Sequence, residues 1–205
     1  WTSLTSPDRP ILVFNSGRLV EDMRALVDAG LLPKPDYYIG GVGTEIHDAK
    51  TDRSLTDWSE ELDRDWDRDR VHAILRDLDD TSPQPDHFQN AYKSSWYLHD
   101  AKPGRIREIE MLIQHSGLKA TLVYSSSRDL DVLPTAATKG GALNWLCQKL
   151  GVPLSRVAVA GDTGNDSSMF DLPGVSGIVV QNAQPELLEA TIKHRQFHLS
   201  RQIMA

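Results

Sequence analysis

Residues 11–14 (Ile-Leu-Val-Phe) form a short apolar run. The polar segment 15–18 follows, and then Leu19, Val20, Met23, Leu26 and Val27 recur at helical spacing. Gly30 stands where a glycine just past the last turn stops a helix, so the opening reads as strand, loop, helix. The same order returns at a strand over 157–160, a polar loop over 161–166 and a helical turn from Ser167. It appears again at a strand over 177–180, with Pro185 starting a helix ahead of Leu187, Leu188 and Ile192. Strands alternating with helices predict an α/β core, a parallel sheet with helices on both faces.

The middle of the chain breaks that alternation. Residues 66–78 read as a helix and 93–99 as a strand. A helix over 103–115 carries Ile106, Ile109, Leu112 and Ile113 on one face, and two short β-rich stretches follow at 119–124 and 130–133. The sequence predicts a small α+β lobe inserted into the core, with the Pro- and Asp-rich 81–87 as a loop inside it. The charge-alternating stretch 63–70 reads as a solvated helix face rather than a binding patch.

Composition narrows the function. With 22 Lys+Arg against 29 Asp+Glu the formal charge is −7, so no basic excess exists to displace the counterions of a nucleic acid. No uncharged apolar run approaches the roughly 20 residues of a membrane span. A single cysteine, Cys147, excludes an internal disulfide framework and points to a reducing, cytoplasmic setting. Its place on the apolar side of a helix that runs from Lys139 through Ala142, Leu143, Leu146 and Leu150 makes it a packing residue. His194 and His198 lie four apart but lack a third ligand for zinc.

The strongest chemical signal is Gly161-Asp162-Thr163-Gly164-Asn165-Asp166, directly after an apolar strand. Loops at strand carboxyl ends form the ligand crevice of an open α/β sheet. The carboxylates of Asp162 and Asp166, with the amide of Asn165, suit Mg2+, which takes one or two carboxylates and completes its octahedron with water and phosphate oxygens. An EF-hand reading fails on spacing, and an Asx turn remains the structural alternative. Ser16 also follows a strand and precedes a helix, a place for a phosphate cradle or for a plain helix N-cap. Lys139 sits after Thr138 at a helix start, where a cation opposes the macrodipole unless an anion lies beside it.

Together these three elements, in this order, resemble motifs of haloacid-dehalogenase (HAD)-type phosphatases. Residues 12–18 (Leu-Val-Phe-Asn-Ser-Gly-Arg), 41–46 (Gly-Val-Gly-Thr-Glu-Ile), 129–134 (Asp-Leu-Asp-Val-Leu-Pro), Lys139-Gly140, the 161–166 loop and 182–188 (Asn-Ala-Gln-Pro-Glu-Leu-Leu) are similar to sucrose-6-phosphate phosphatases over most of the chain. The resemblance implies a Rossmann-like HAD core with an inserted α+β cap of the C2 type. Core would occupy 1–66 and 136–205, and cap 67–135.

It further implies Mg2+-dependent hydrolysis of a sugar phosphate, sucrose 6-phosphate to sucrose and phosphate, through an aspartyl-phosphate. Another osmolyte phosphate such as mannosyl-3-phosphoglycerate, or a non-catalytic sugar-phosphate-binding domain of a sucrose-phosphate synthase, are the rival readings. By resemblance Ser16, Lys139 and Asp162 serve the chemistry. Ser16, Gly17, Arg18, Glu45, Lys93, Asp131, Lys139 and Asn182 bind substrate, and Asp162, Asn165 and Asp166 hold the metal. The implied partners are the small-molecule sugar phosphate and an association with sucrose-phosphate synthase, with no nucleic acid or membrane, in a monomer. The family's Asp-x-Asp-x-Thr nucleophile motif does not occur in the sequence, and Asp8 precedes the Ser16 strand rather than ending an earlier one. The expectation is therefore a chain that starts at Trp1 without its first strand, lacks a later helix beyond Ala205, and binds without turning over.

Overall fold

The computed structural model describes residues 9–64, 66–192 and 198–199. Trp1, Asp8 and His194 lie outside them, and His198 enters only through its backbone. The chain runs β1 (Val13–Asn15), α1 (Val20–Asp28), β2 (Tyr37–Gly40), β3 (Glu45–Asp48), β4 (Arg53–Ser54) and α2 (Thr56–Asp63). Next come α3 (Arg68–Arg76), β5 (Ser82–Pro83), β6 (Ser94–Tyr97), α4 (Pro103–His115), β7 (Ala120–Ser125) and β8 (Asp129–Pro134). It continues through α5 (Lys139–Leu150), β9 (Ala158–Gly161), α6 (Ser167–Phe170), β10 (Ser176–Val179), α7 (Pro185–Ile192) and β11 (His198–Leu199).

The three strand–helix units expected from the sequence form, as β1–α1, β9–α6 and β10–α7. Strand β1 pairs in parallel with β2, and β9 with β10. Helix α1 stops at Ala29, with Gly30 at φ +72°. The first sheet is mixed: β3 and β4 turn back antiparallel, in the order β1-β2-β3-β4. On one of its faces Val20 and Met23 of α1 bury against Tyr38 and Ala49. On the other, Ile39 and Ile46 share a core with Trp58 of α2, Leu143 and Leu146 of α5 and Val159 and Val179 of the second parallel sheet. Helices therefore cover both faces of β1–β3. In β9 and β10, Val159 and Val179 are buried while Ala158, Ala160 and Ile178 are exposed, so these strands show one covered face among the described residues. The edge of β1 away from β2 and that of β9 away from β10 carry no described strand.

The middle segment is an antiparallel sheet in the order β5-β6-β8-β7. Trp96, Leu98, Leu130 and Val132 on one face bury against Val71 and Leu75 of α3 and Ile109 and Ile113 of α4. Strand side chains alternate, so Lys93, Ser95 and Asp131 take the opposite face, whose Val123 and Leu133 join the core cluster. Two expectations change here. Residues 81–87 are not all loop: Ser82–Pro83 pair with Tyr97 and Trp96 as an edge strand, where proline is tolerated. The charged stretch 63–70 is not one helix face either: α2 ends at Asp63 and α3 begins at Arg68, N-capped by Asp67.

That junction is strapped. The Trp66 indole donates to Ala91 O at 2.8 Å and the Tyr92 hydroxyl donates to Asp63 at 2.7 Å. Burial, then the Asp63 partner, pushes the Tyr92 hydroxyl up to about 12.

Candidate phosphate site at the strand ends

The turn 41–43 decides where the pieces meet. Gly43 has φ +105°, and a Cβ there would stand 2.3 Å from Thr138 O, so only glycine lets this turn touch the start of α5. Between the glycines Val42 is held at φ +62°, an outlier for a β-branched residue. It is 1% exposed, its N–H donates to Ser16 O at 3.1 Å, and the Trp58 indole fixes the neighbouring Gly43 O at 3.0 Å. Strain of this kind persists where surrounding contacts over-determine the backbone, and it clusters at functional sites.

Helix α5 is N-capped by Thr138, whose Oγ1 accepts from Gly141 N at 2.9 Å. Gly140 lies so close to α6 that a Cβ would sit 2.0 Å from Ser168 O, while its N–H donates to Ser168 Oγ at 3.0 Å. This packing sets Lys139 beside the 161–166 loop. Lys139 Nζ donates to Asp166 Oδ1 at 2.5 Å and to Asn165 Oδ1 at 2.7 Å. The anion that makes a lysine tolerable at a helix start is thus Asp166, and the ion pair is buried, with side-chain exposures of 6% and 5%. An ammonium has three donors, and these bonds leave one of them for a further acceptor.

Asp166 also organises its loop. Its Oδ2 accepts from the N–H groups of Asp162 and Thr163 at 2.9 and 3.1 Å, in a capping box with Thr163. Asn165 Oδ1 takes the Thr163 hydroxyl at 2.9 Å besides Lys139. Of the three residues expected at a metal, Asp166 and Asn165 are engaged in this way. Asp162 alone presents an exposed carboxylate with no hydrogen-bond partner among the described residues. Gly17 comes to the same place: a Cβ on it would lie 3.5 Å from Asn165 Nδ2. Asn182 is exposed on the next loop, which Gln184 N ties to Asp162 O at 2.7 Å.

Ser16 stands at the end of β1, and its Oγ accepts from Arg18 N at 3.2 Å. It is not the cap of α1, since that helix starts after Leu19. Arg18 is exposed, and its carbonyl takes Gly41 N at 2.8 Å. Asn15, within the 12–18 motif but assigned no role there, links this strand to the others: its Nδ2 donates to Lys139 O at 2.9 Å.

The remaining expected residues fall into two further groups. Lys93 and Asp131 meet on the cap sheet at 3.2 Å, with exposures of 4% and 6%. The Ser95 hydroxyl, missed by motif reading, donates to the same Asp131 oxygen at 2.6 Å. Burial holds the Asp131 carboxyl above its ordinary value, against a smaller downward pull from Lys93 and then Ser95. Glu45 lies at the seam between core and cap. Its Oε2 accepts from Val20 N at 3.1 Å and its Oε1 from Asn90 Nδ2 at 2.9 Å. Asn90 also donates to Thr44 Oγ1 at 2.8 Å, so one cap amide clasps two adjacent core residues. Its backbone bridge to Lys93 joins the seam to the cap pair. No signal in the sequence marks Asn90, because its partners are 45 and 46 residues away.

A family model of the sucrose-6F-phosphate phosphohydrolases matches residues 1–205. The mannosylfructose-phosphate phosphatase of Agrobacterium fabrum is 43% identical over 197 residues, which span 96% of this chain and 79% of that protein. A probable sucrose-phosphatase 2 of Arabidopsis thaliana is 34% identical over 184 residues, 87% of this chain but 43% of the plant protein, so the chain spans less than half of that relative. Among solved structures, the sucrose-phosphatase of Synechocystis in complex with sucrose and phosphate matches with a TM-score of 0.84 at 33% identity, covering 91% of this chain and 76% of that one. A haloacid dehalogenase-like hydrolase of B. subtilis, at 19% identity and a TM-score of 0.62, shares the fold. No helix among the described residues is long and apolar enough to cross a membrane.

Proposed function

Because this chain belongs to the sucrose-6F-phosphate phosphohydrolase family, we propose that it supplies the core and cap of a phosphatase acting on a phosphorylated disaccharide that contains fructose. Sucrose 6-phosphate is one such substrate. The similarity to a mannosylfructose-phosphate phosphatase supports a mannosyl counterpart equally. In this reading core occupies 1–66 and 136–205, and cap 67–135.

The observation that carries the reading is the buried Lys139 ammonium, held between Asp166 and Asn165 beside the exposed carboxylate of Asp162. Lys139 offers its remaining N–H to a phosphate oxygen, and its charge offsets that of the phosphoryl group. The Ser16 hydroxyl donates to a second oxygen, and the absence of a Gly17 side chain lets the backbone approach the anion. Asp166 holds Lys139 and the loop amides in place and so positions the cation.

The donor set fits a hard divalent ion in one respect: Asp162 gives the carboxylate that Mg2+ takes alongside water and phosphate oxygens. When bound, Mg2+ would draw charge from the phosphoryl oxygens. In this reading Asp162, directly after β9, goes to the metal and Ser16, directly after β1, to the phosphate, so neither is the attacking aspartate of an aspartyl-phosphate mechanism. The reading places that aspartate on a strand between the edges of β1 and β9 that carry no described strand. Glu45, Lys93 and Asp131, with Ser95, offer the sugar hydroxyls acceptors and donors from the seam and the cap face. A monomer that associates with a sucrose-phosphate synthase completes the reading.

Phosphate release by the whole natural protein tests it. With Mg2+, sucrose 6-phosphate or its mannosyl analogue is expected to give a kcat/KM at least about 100-fold above an aryl phosphate, since remote binding energy serves the chemical step. Equal values for all three would contradict a disaccharide site.

A further inference from the structure

Helix α3 carries Arg68, His72 and Arg76 at four-residue spacing, so they stand along one side of it. Together with Asp69 and Ala73 they line a cavity of about 340 Å3. It opens on the helix side of the cap sheet. The His72 ring lies edge-on to Trp96 at a centroid separation of 5.2 Å, and Trp96 faces away from the side that holds Lys93 and Asp131.

Two of these lining residues each carry a buried polar atom without a hydrogen-bond partner, Arg68 Nε and His72 Nε2. A buried donor or acceptor left unpaired forgoes the hydrogen bond it makes in water, and the loss is larger when the group is charged. Neither Arg68 nor Arg76 joins an ion pair among the described residues, although acidic residues outnumber basic ones by 29 to 22. The contrast within the same lobe is Arg105, which pairs with both Asp80 and Glu108. Among the described residues Asp69 is the one carboxylate lining the cavity, against two guanidinium groups. Burial first, then Arg68 and Arg76, hold the His72 imidazole below its ordinary value, against a smaller opposing pull from Asp69.

We propose that this cavity is a binding site for a small phosphate-class anion, separate from the strand-end loops, with Arg68 and Arg76 as the charged donors and His72 Nε2 as the third contact. Two guanidinium groups suit an oxyanion, because each can present parallel N–H donors to its oxygens. The imidazolium form of His72 adds a donor when the anion is present. The shared chemistry admits inorganic phosphate or the phosphate of a sugar monoester.

The test follows the His72 ring signals by NMR during titration of the protein, first with inorganic phosphate and then with glucose 6-phosphate. A saturable shift with phosphate, together with a raised His72 pKa, assigns the free anion; saturation by the ester alone assigns the ester. Arg76→Gln, at an exposed position, is expected to weaken binding about 10-fold through the loss of a charge-assisted bond, with an unchanged melting temperature. Arg68→Gln in addition is expected to abolish the shift. No saturation at His72 with either anion overturns the proposal, and so does undiminished binding in a folded Arg68→Gln/Arg76→Gln protein. Because the signal is local to α3, anion binding at Lys139 alone leaves it unmoved and counts against the proposal.

Discussion

Lys139→Met is expected to lower the unfolding free energy by about 3–5 kcal/mol, the cost of stranding a buried carboxylate. For a chain of this size that is a fall in melting temperature on the order of 10 °C. The reason lies in Asp166, which is 3% exposed and would keep only two backbone N–H donors once the ammonium is gone. Methionine fills nearly the same volume, so little of the loss comes from packing. The discriminating partner is Asp166→Asn. It removes the stranded charge while retaining an oxygen for the loop amides, and the double variant is therefore expected to recover much of the loss. A double variant as unstable as Lys139→Met would show that packing, not charge, holds the pair together.

Gly140→Ala is expected to cost about 3 kcal/mol, at the upper end for an overpacked site, although alanine is the better helix former. Its Cβ would fall 2.0 Å from the carbonyl oxygen of Ser168 and 2.5 Å from its carbon, both backbone atoms that cannot swing aside. Helix α6 must then retreat from α5, taking the 161–166 loop away from Lys139. Gly104→Ala on α4 is the control, because nothing lies within 4 Å of the added carbon. There the helix preference acts alone, and a gain of up to about 1 kcal/mol is expected. Thermal denaturation of the two variants side by side checks both signs.

The fold was legible where one local rule acted alone. Apolar runs followed by helical spacing identified β1 with α1 and β9 with α6, and the alternation broke where the cap begins. It was less legible where two rules collide. Thr56–Asp63 forms α2 despite its acidic residues, because Trp58 and Leu62 anchor it to the core. The run 63–70 looks continuous in charge, yet it bends at Asp67, whose side chain caps α3 by accepting from Arg70 N. For the candidate site, motif spacing picked out Ser16, Lys139 and the 161–166 loop, since strand ends and helix starts are local signals. The division of labour among the carboxylates was not visible. Whether Asp162 or Asp166 meets Lys139 depends on an approach across 27 residues, set by Gly140 and Gly43. Lys93 and Asp131 were named by resemblance, but that they meet as a buried pair shows only once β6 and β8 come together.

The most direct test is Asp162→Ala in the whole natural protein, assayed for Mg2+-dependent phosphate release from the disaccharide phosphate. Asp162 is exposed and its side chain takes no hydrogen bond from the described residues, so the fold has no use for it. The melting temperature is expected to stay within about 2 °C of the parent, while turnover falls on the order of 100-fold or more. An unchanged rate would reduce the 161–166 loop to a turn and contradict the assignment of this site to phosphate chemistry.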